Sequence, residues 1–182
     1  MTIRRASHMR EESSIETGVG AMLSQVCQEV AEGAGLAVMR GAVGIGKSYA
    51  LKRIIADLEA QGIDVVFLTA TETIAGQVNA FMRAILTQYR TETASSADAE
   101  EALWTHLAGR PFAPGGRQVL LIVDEAQKLA VRVLETIRDL YDRGDAAREG
   151  NTSAPAFGCV LVENPTFLGK AAISGWPLSK RC

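Results

Sequence analysis

The stretch that decides the fold of this 182-residue chain is Gly41-Ala42-Val43-Gly44-Ile45-Gly46-Lys47-Ser48. It matches the phosphate-loop pattern G-x-x-x-x-G-K-[ST], known as Walker A, at every fixed position. Its glycines let the backbone curl so that several N–H groups point inward around a phosphate. Lys47 can reach the outer phosphates of a nucleotide, and the Ser48 hydroxyl can ligate Mg²⁺. The stretch therefore predicts a site for ATP and Mg²⁺.

The residues beside this loop predict a strand before it and a helix after it. Residues 35–40 have the apolar character of a short buried strand. After the loop, apolar residues repeat at the spacing of one helical face: Leu51, Ile54, Ile55 and Leu58. Gly62 stands where this helix should end. The helix N-terminus then points at the phosphates, and we expect the whole loop and the following Tyr49 to contact the nucleotide.

The rest of the chain alternates predicted helices with predicted strands. The further strands are expected at residues 64–69, 118–123 and 158–162. The further helices are expected through Leu23 to Val30, as one long helix from Ile74 to Tyr89, from a capping box of Ser95 and Asp98 through Leu107, and from Val133 to Tyr141. Residues 144–156 are expected to form an exposed loop. This alternation predicts an α/β fold of three layers around a central parallel sheet, with ligands at the carboxyl ends of the strands.

An apolar run ends in two adjacent carboxylates, Asp124 and Glu125. Residues 119–123 are typical of a buried strand in a parallel sheet. Because this strand and its two acids follow a complete phosphate loop in the sequence, they predict a Walker B element. Asp124 is predicted to hold Mg²⁺, and Glu125 to orient and polarise the attacking water. The alternative interpretation is a solvated turn before a helix.

The fourth predicted strand ends in Glu163-Asn164-Pro165. A polar side chain there would lie between the two motifs, so Asn164 is predicted to contact the γ-phosphate or the water. The alternative is an ordinary Asn-Pro turn. An extra strand and helix are predicted between the two motifs. In this the chain resembles the class of ATPases in which another strand separates the phosphate-loop strand from the Walker B strand. This arrangement is a trait of AAA+ and RecA-like proteins.

Three phrases carry a narrower resemblance: Val123-Asp124-Glu125-Ala126-Gln127-Lys128-Leu129, Leu134-Glu135-Thr136-Ile137-Arg138-Asp139-Leu140-Tyr141-Asp142 and Leu161-Val162-Glu163-Asn164-Pro165. They resemble the bacterial AAA+ ATPases grouped with the phage Mu transposition B protein and the helper ATPases of related transposons. The resemblance to origin-recognition-type and general-secretion ATPases is more distant. The resemblance covers roughly residues 18–168. It implies ATP-dependent homo-oligomers on DNA, a transposase-like partner, and Asn164 in the sensor 1 position.

The resemblance also sets an expected domain plan. We expect a flexible N-terminal arm over residues 1–18, an AAA+-like P-loop ATPase core over residues 19–168, and an irregular tail over residues 169–182. The family's lid and arginine finger follow sensor 1, and 18 residues follow Asn164 here. We therefore expect the C-terminal lid to be absent or truncated, and hydrolysis to be slow in isolation. Glu163 replaces the family's common glycine and would repel a triphosphate unless it points away.

Composition narrows the function further. The net charge of −2 gives no overall basic field for nucleic acid, although Arg4, Arg5 and Arg10 could form a basic arm. Three cysteines without metal-ligand spacing fit a reduced cytoplasm. No apolar run reaches the length of a transmembrane segment, so we do not expect the membrane to be a partner.

Three functions remain open at this point. The first is an ATPase that regulates DNA transposition or phage target selection. The second is a protein-remodelling or signalling ATPase. The third is a module that binds ATP or ADP with little hydrolysis. A small-molecule kinase is disfavoured by the Asp124–Glu125 pair.

Overall fold

The computed structural model describes residues 18–33, 35–93, 95–109, 117–146 and 157–164. The helices are α1 (Gly18–Gly33), α2 (Lys47–Ala60), α3 (Glu72–Ala75), α4 (Val78–Gln88), α5 (Ser96–Trp104) and α6 (Val131–Ala146). A π-helical turn spans Thr105–Gly109 and a 3₁₀ turn spans Ala126–Lys128. The strands are β1 (Leu36–Arg40), β2 (Asp64–Thr69), β3 (Val119–Asp124) and β4 (Gly158–Glu163).

The four described strands form one parallel sheet in the order β1-β4-β3-β2. This confirms the predicted α/β class, and it places β4 between the strand before the phosphate loop and the strand that ends in Asp124. The register aligns Arg40 with Glu163 and Thr69 with Asp124. The carboxyl ends of the strands therefore lie along one edge, where parallel α/β sheets bind ligands.

Helices cover both faces of the sheet, because side chains of a strand alternate between faces. One face packs on α1 and α2, and its fully buried members include Leu23, Cys27, Leu51, Leu120, Ile122, Val160 and Val162. The other face packs on α4, α5 and α6, and its fully buried members include Phe81, Ile85, Leu103, Val123, Val133, Phe157 and Leu161. Burial of such a side chain contributes about 1.5–3 kcal/mol, so these two layers hold the sheet edge in place.

Gly158 allows α1 to lie unusually close to the sheet. A Cβ atom at this position would stand 2.6 Å from the Val30 carbonyl oxygen and 2.9 Å from Leu120 Cδ1. Neither distance is compatible with ordinary van der Waals contact, so a side chain here would push α1 away from β4.

The predicted long helix from Ile74 to Tyr89 is wrong, because the chain forms two helices with a break at Gly76 and Gln77. Gln77 is extended (φ −132°, ψ 115°). The Ala75 carbonyl accepts a hydrogen bond from the Ala130 N–H at 2.7 Å, and Arg132 donates to the Gly76 carbonyl. These carbonyls therefore bond to the segment after β3 instead of continuing the helix, and α4 ends before Tyr89.

Other boundaries shift by smaller amounts. Helix α6 continues to Ala146, so the first part of the loop predicted over 144–156 is helical. Strand β2 is partly exposed at several positions because β3 is its one neighbour in the described sheet. The Ser95–Asp98 capping box is confirmed, with both reciprocal hydrogen bonds at 3.1 Å. Gly62 follows α2 with φ +89°, which confirms it as the helix stop.

Several predictions fall outside the described residues. These are most of the N-terminal arm with Arg4, Arg5 and Arg10, the end of the core after Asn164, and the tail over 169–182. Within the described ranges, no helix is both long enough and apolar enough to cross a membrane.

Candidate functional site

The 41–48 loop joins the end of β1 to the start of α2. Gly44 and Gly46 have φ values of +81° and +89°, in the left-handed region that favours glycine. The Gly41 N–H donates to the Glu163 carbonyl at 3.2 Å, which fixes the loop to the end of β4. Gly46 is a fixed glycine of the motif and Gly44 occupies one of its variable positions, and together they allow the curl that the sequence predicts for an anion cradle.

Lys47 is the first residue of α2 and folds back over the loop. Its ammonium group donates to the Gly41 carbonyl and, at 2.8 Å, to the Ala42 carbonyl. These contacts hold the amine at the mouth of the loop. A cation at a helix N-terminus beside curled backbone N–H groups is an arrangement that favours a phosphate anion.

Ser48 and Asp124 meet across the gap between α2 and β3. The Ser48 hydroxyl donates to Asp124 Oδ2 at 2.7 Å, although the two residues are 76 positions apart. Asp124 is 4% exposed, and its Oδ1 accepts the Glu125 N–H at 2.9 Å. By strand alternation, Asp124 lies on the same sheet face as Ile122, the face that α2 covers. The structure thus brings together the two residues predicted from sequence to bind a metal.

A hydroxyl and a carboxylate fit Mg²⁺, which prefers oxygen ligands and usually keeps several waters. Within the described part of the chain, no group of three or more His, Cys, Asp and Glu side chains is placed to hold a metal. Ser48 and Asp124 together offer a hydroxyl and a carboxylate, which suits a metal that takes its other ligands from water and from a ligand such as a polyphosphate.

Glu125 adopts a left-handed backbone conformation (φ +58°, ψ 32°), which is uncommon for a residue with a side chain. Its side chain is 33% exposed, and Oε2 accepts a hydrogen bond from Gln127 Nε2 at 2.9 Å. The Lys128 ammonium lies 3.2 Å from the same oxygen. Strained backbone of this kind costs about 1–3 kcal/mol and is concentrated at functional sites.

Asn164 follows β4 directly and is half-buried. Its backbone N–H donates to Gln127 Oε1 at 3.1 Å. Since β4 lies between β1 and β3, Asn164 stands at the same sheet edge as the 41–48 loop and Asp124. Sequence reasoning did not single out Gln127 as a site residue, because an amide two positions after a glutamate carries no signal by itself.

Glu163 does not act as the unpaired repulsive charge that the sequence left open. Its Oε2 lies 3.0 Å from Arg40 Nε, in a salt bridge whose two side chains are 10% and 52% exposed, respectively. By strand alternation, Glu163 lies on the face of Leu161, opposite to that of Asp124. The carboxylate is therefore directed away from the Ser48–Asp124 side and is paired with a cation.

The outer side of the loop carries two exposed apolar groups. Val43 is 68% exposed, and Tyr49, in the first turn of α2, is 58% exposed. Exposed large side chains at the mouth of a site are available to cover a flat ligand. The positions of the 41–48 loop and of Tyr49 agree with the nucleotide contacts expected from sequence, which remain a prediction.

Solved structures share this fold. Cdc6p from Pyrobaculum aerophilum matches with a TM-score of 0.64 at 17% identity, covering 94% of this chain and 43% of that one. The Aeropyrum pernix ORC2 protein in ADPNP–ADP complexes matches with a TM-score of 0.52 at 20% identity, over 85% of this chain and 42% of that one. Drosophila ORC bound to DNA matches with a TM-score of 0.53 at 22% identity, over 80% of this chain and 36% of that one. The chain thus spans about two fifths of each protein, and the likeness concerns the fold.

The amino-acid sequence itself shows the family of this chain. No curated protein sequence matches the chain. A family model described as an AAA domain matches residues 29–156, which include the 41–48 loop, β3 with its two acids, and α6. This match covers well over half of the chain, and the parallel sheet with β4 between β1 and β3 agrees with it. The chain therefore belongs to the AAA domain family, within the AAA+ ATPases of the P-loop fold.

Proposed function

We propose that this protein binds ATP with Mg²⁺ at the 41–48 loop and hydrolyses it slowly. The observation that carries the proposal is the 2.7 Å hydrogen bond between Ser48 and Asp124. It joins the hydroxyl at the end of the phosphate loop to a buried carboxylate on a separate strand. Burial of a carboxylate is costly without a partner, and a hydroxyl with a carboxylate is a pair of oxygens that suits a nucleotide-bound Mg²⁺.

The residues around this pair have separate roles in the proposal. The backbone N–H groups of the loop would surround the phosphates, and the Lys47 ammonium would exchange the Gly41 and Ala42 carbonyls for phosphate oxygens. Ser48 and Asp124 would hold Mg²⁺, which when bound neutralises charge on the phosphates. Tyr49 lies exposed one residue beyond the loop and would contact the nucleotide from outside.

Glu125 is the proposed base that orients the attacking water, and Asn164 is the proposed contact to that water or to the γ-phosphate. Glu125 is adjacent in sequence to Asp124, and Asn164 belongs to the neighbouring strand end. Two acids are needed because one carboxylate would ligate the cation while the other would face the water. These roles involve no arginine, and an arginine finger contributes about 10³–10⁵ in rate. We therefore expect turnover below about 1 s⁻¹ for the isolated chain.

The wider role that we propose is ATP-dependent homo-oligomer assembly on DNA, in transposition or phage target selection. Two observations support it. The α6 sequence resembles the phage Mu B protein group, and one structure of the same fold is an ORC assembly bound to DNA. DNA retention by the purified chain at low salt, with and without ATP, tests this role. Retention that requires ATP and weakens with salt is expected, and no retention in either condition would contradict it.

A second candidate function is a nucleotide-binding module with little hydrolysis. The contacts that favour it are those of Glu125, whose carboxylate is engaged by Gln127 and Lys128. Nucleotide analysis after long incubation separates the two functions. Bound ATP that stays intact supports the module, and bound ADP supports the ATPase.

A binding titration tests the nucleotide site itself. Lys47→Ala removes the ammonium at the loop, and we expect it to lower MgATP affinity by at least about tenfold. Lys52→Ala is a matched control, because Lys52 is an exposed lysine of α2 outside the loop. Equal affinity for MgATP in both variants would contradict the proposed site.

A further inference from the structure

The geometry points to Gln127 as a positioning residue that sets the orientation of the Glu125 carboxylate and connects it to the end of β4. The inference rests on the proposed function, since it concerns how the proposed base is held. Its starting observation is that a single side-chain amide bonds to both segments. Gln127 Nε2 donates to Glu125 Oε2 at 2.9 Å, and Gln127 Oε1 accepts from the Asn164 N–H at 3.1 Å.

The two partners lie on different elements. Glu125 directly follows β3 and precedes the 3₁₀ turn that contains Gln127, whereas Asn164 directly follows β4 and is 37 residues further along the chain. Both hydrogen bonds are partly buried, so water competes with them less than at the surface. A displacement of the β4 end therefore moves the Gln127 amide, and with it the carboxylate of Glu125.

The chemistry of both partners requires an amide at this position. The Glu125 carboxylate needs a donor, and the Asn164 N–H needs an acceptor, and glutamine offers both on one planar group. A glutamate would keep the acceptor but place a second carboxylate against Glu125. A methionine would keep the approximate length but offer neither strong donor nor strong acceptor.

Lys128 is the second contact of the Glu125 carboxylate, but it restrains it less. Its side chain is 50% exposed, and exposed ion pairs contribute little to a fixed geometry. The backbone of Glu125 is held at φ +58°, so the direction in which its side chain leaves the chain is already determined. Gln127 then selects the final orientation of the carboxylate.

The chain offers a matched control for an amide with two bonds. Gln88, the last residue of α4, donates from Nε2 to the Phe67 carbonyl at 3.1 Å and accepts from the Phe67 N–H at 3.3 Å. Both of its hydrogen bonds are to the backbone of β2, and neither involves the 41–48 loop or the two acids. Gln88→Met therefore removes a pair of amide hydrogen bonds, which here are exposed, without touching Glu125.

The first test measures the connection directly by NMR. The chain has three asparagines, Asn79, Asn151 and Asn164, so protein labelled with ¹⁵N-asparagine gives a readily assigned Asn164 backbone amide signal. Glu125→Ala is expected to shift this signal in the otherwise wild-type chain and to shift it much less in a Gln127→Met chain. The Gln88→Met background is expected to preserve the full shift. An equal shift in all three backgrounds would overturn the inference, because coupled pairs must deviate from additivity.

The second test separates binding from turnover. We expect Gln127→Met and Gln127→Glu to bind MgATP within about twofold of wild type while single-turnover hydrolysis falls by about tenfold or more, because a small misplacement of a catalytic group has effects of this size. Gln88→Met should change neither quantity. Turnover that is unchanged or raised in both Gln127 variants, or equal losses of affinity and turnover, would overturn the inference. Failure of the wild-type chain to bind MgATP would instead refute the proposed function, and the NMR comparison would still decide the connection.

Discussion

The Ser48 hydroxyl donates a hydrogen bond of 2.7 Å to the buried carboxylate of Asp124, across 76 residues of sequence. Ser48 belongs to the first turn of α2, and Asp124 is the last residue of β3. The contact therefore joins the helix after the phosphate loop to β3, which lies two places from β1 in the sheet. The proposed ATP and Mg²⁺ site depends on this geometry.

Glu125→Gln should separate nucleotide binding from hydrolysis. The substitution keeps the size of the side chain but removes the basic carboxylate, so affinity for MgATP should stay within about twofold while hydrolysis falls by about 10²-fold or more. Single-turnover assays measure the rate. Glu135→Gln, an exposed acid of α6, is the control and should leave the rate unchanged. Equal turnover in the two variants would remove Glu125 from the mechanism.

Arg40→Ala should destabilise the fold through Glu163. It leaves a carboxylate that is 10% exposed without the guanidinium 3.0 Å away. Because the Arg40 side chain is itself 52% exposed, we expect a loss of about 1–3 kcal/mol, less than for a fully buried pair. Urea unfolding measures it. Arg138→Ala breaks an exposed pair with Asp142 and should change stability by no more than about 1 kcal/mol. Similar losses of unfolding free energy in both variants would show that the burial of Glu163 does not increase the contribution of its salt bridge to stability.

Gly158→Ala should destabilise the packing of α1 on the sheet. The new Cβ would meet the Val30 carbonyl oxygen at 2.6 Å and Leu120 at 2.9 Å, so the helix must shift, which typically costs about 1–3 kcal/mol. Gly76→Ala is the matched control, since a Cβ there meets nothing within 4 Å and the backbone φ of −100° accepts alanine. If Gly158→Ala is as stable as Gly76→Ala, the close approach of α1 is not a feature of the folded protein.

The two buried thiols predict a loss of stability at alkaline pH. Burial raises the pKa of Cys27 and of Cys159 from 9.0 to about 12. In the unfolded chain these thiols release protons through pH 9.0, whereas the folded protein keeps them, so stability is full below pH 9.0 and falls as pH rises toward 12. Each thiol contributes a slope of roughly 1 kcal/mol per pH unit.

Urea unfolding at several alkaline pH values measures this slope. Cys27→Ala removes one of the two buried thiols, and the wild-type slope should exceed that of the variant because every other ionisable group is common to both proteins. Identical slopes would show that the thiol of Cys27 is not protected from ionisation in the folded state.

Features that depend on local sequence could be predicted. The turn at the 41–48 loop follows from its glycines, and the burial of Leu51 and Leu58 follows from helical periodicity. The parallel sheet follows from the alternation of helices and strands, and the order β1-β4-β3-β2 agrees with the class that the two motifs resemble. The meeting of Ser48 with Asp124 could be expected because both lie at the carboxyl edge of such a sheet.

Features that depend on contacts between distant segments could not be predicted. The break between α3 and α4 arises from hydrogen bonds to Ala130 and Arg132, more than fifty residues away, which no periodicity reveals. The partner of Glu163 is Arg40, 123 residues earlier in the chain. The role of Gln127 depends on Asn164 at the end of another strand. Each of these contacts forms only when the sheet is packed, so its physical cause cannot be found in the local sequence.

We propose that Ser48 and Asp124 form the metal side of an ATP site. Calorimetric titration of the chain with ATP, in Mg²⁺ and in chelator, gives a direct test of this claim. We expect wild type to bind ATP at least about tenfold more tightly with Mg²⁺ than without it, and Ser48→Ala to lose most of this gain. Ser24→Ala, which changes an exposed serine of α1, should keep the full gain. Saturable ATP binding whose Mg²⁺ dependence is the same in wild type and Ser48→Ala, or no saturable binding by wild type, would contradict the claim.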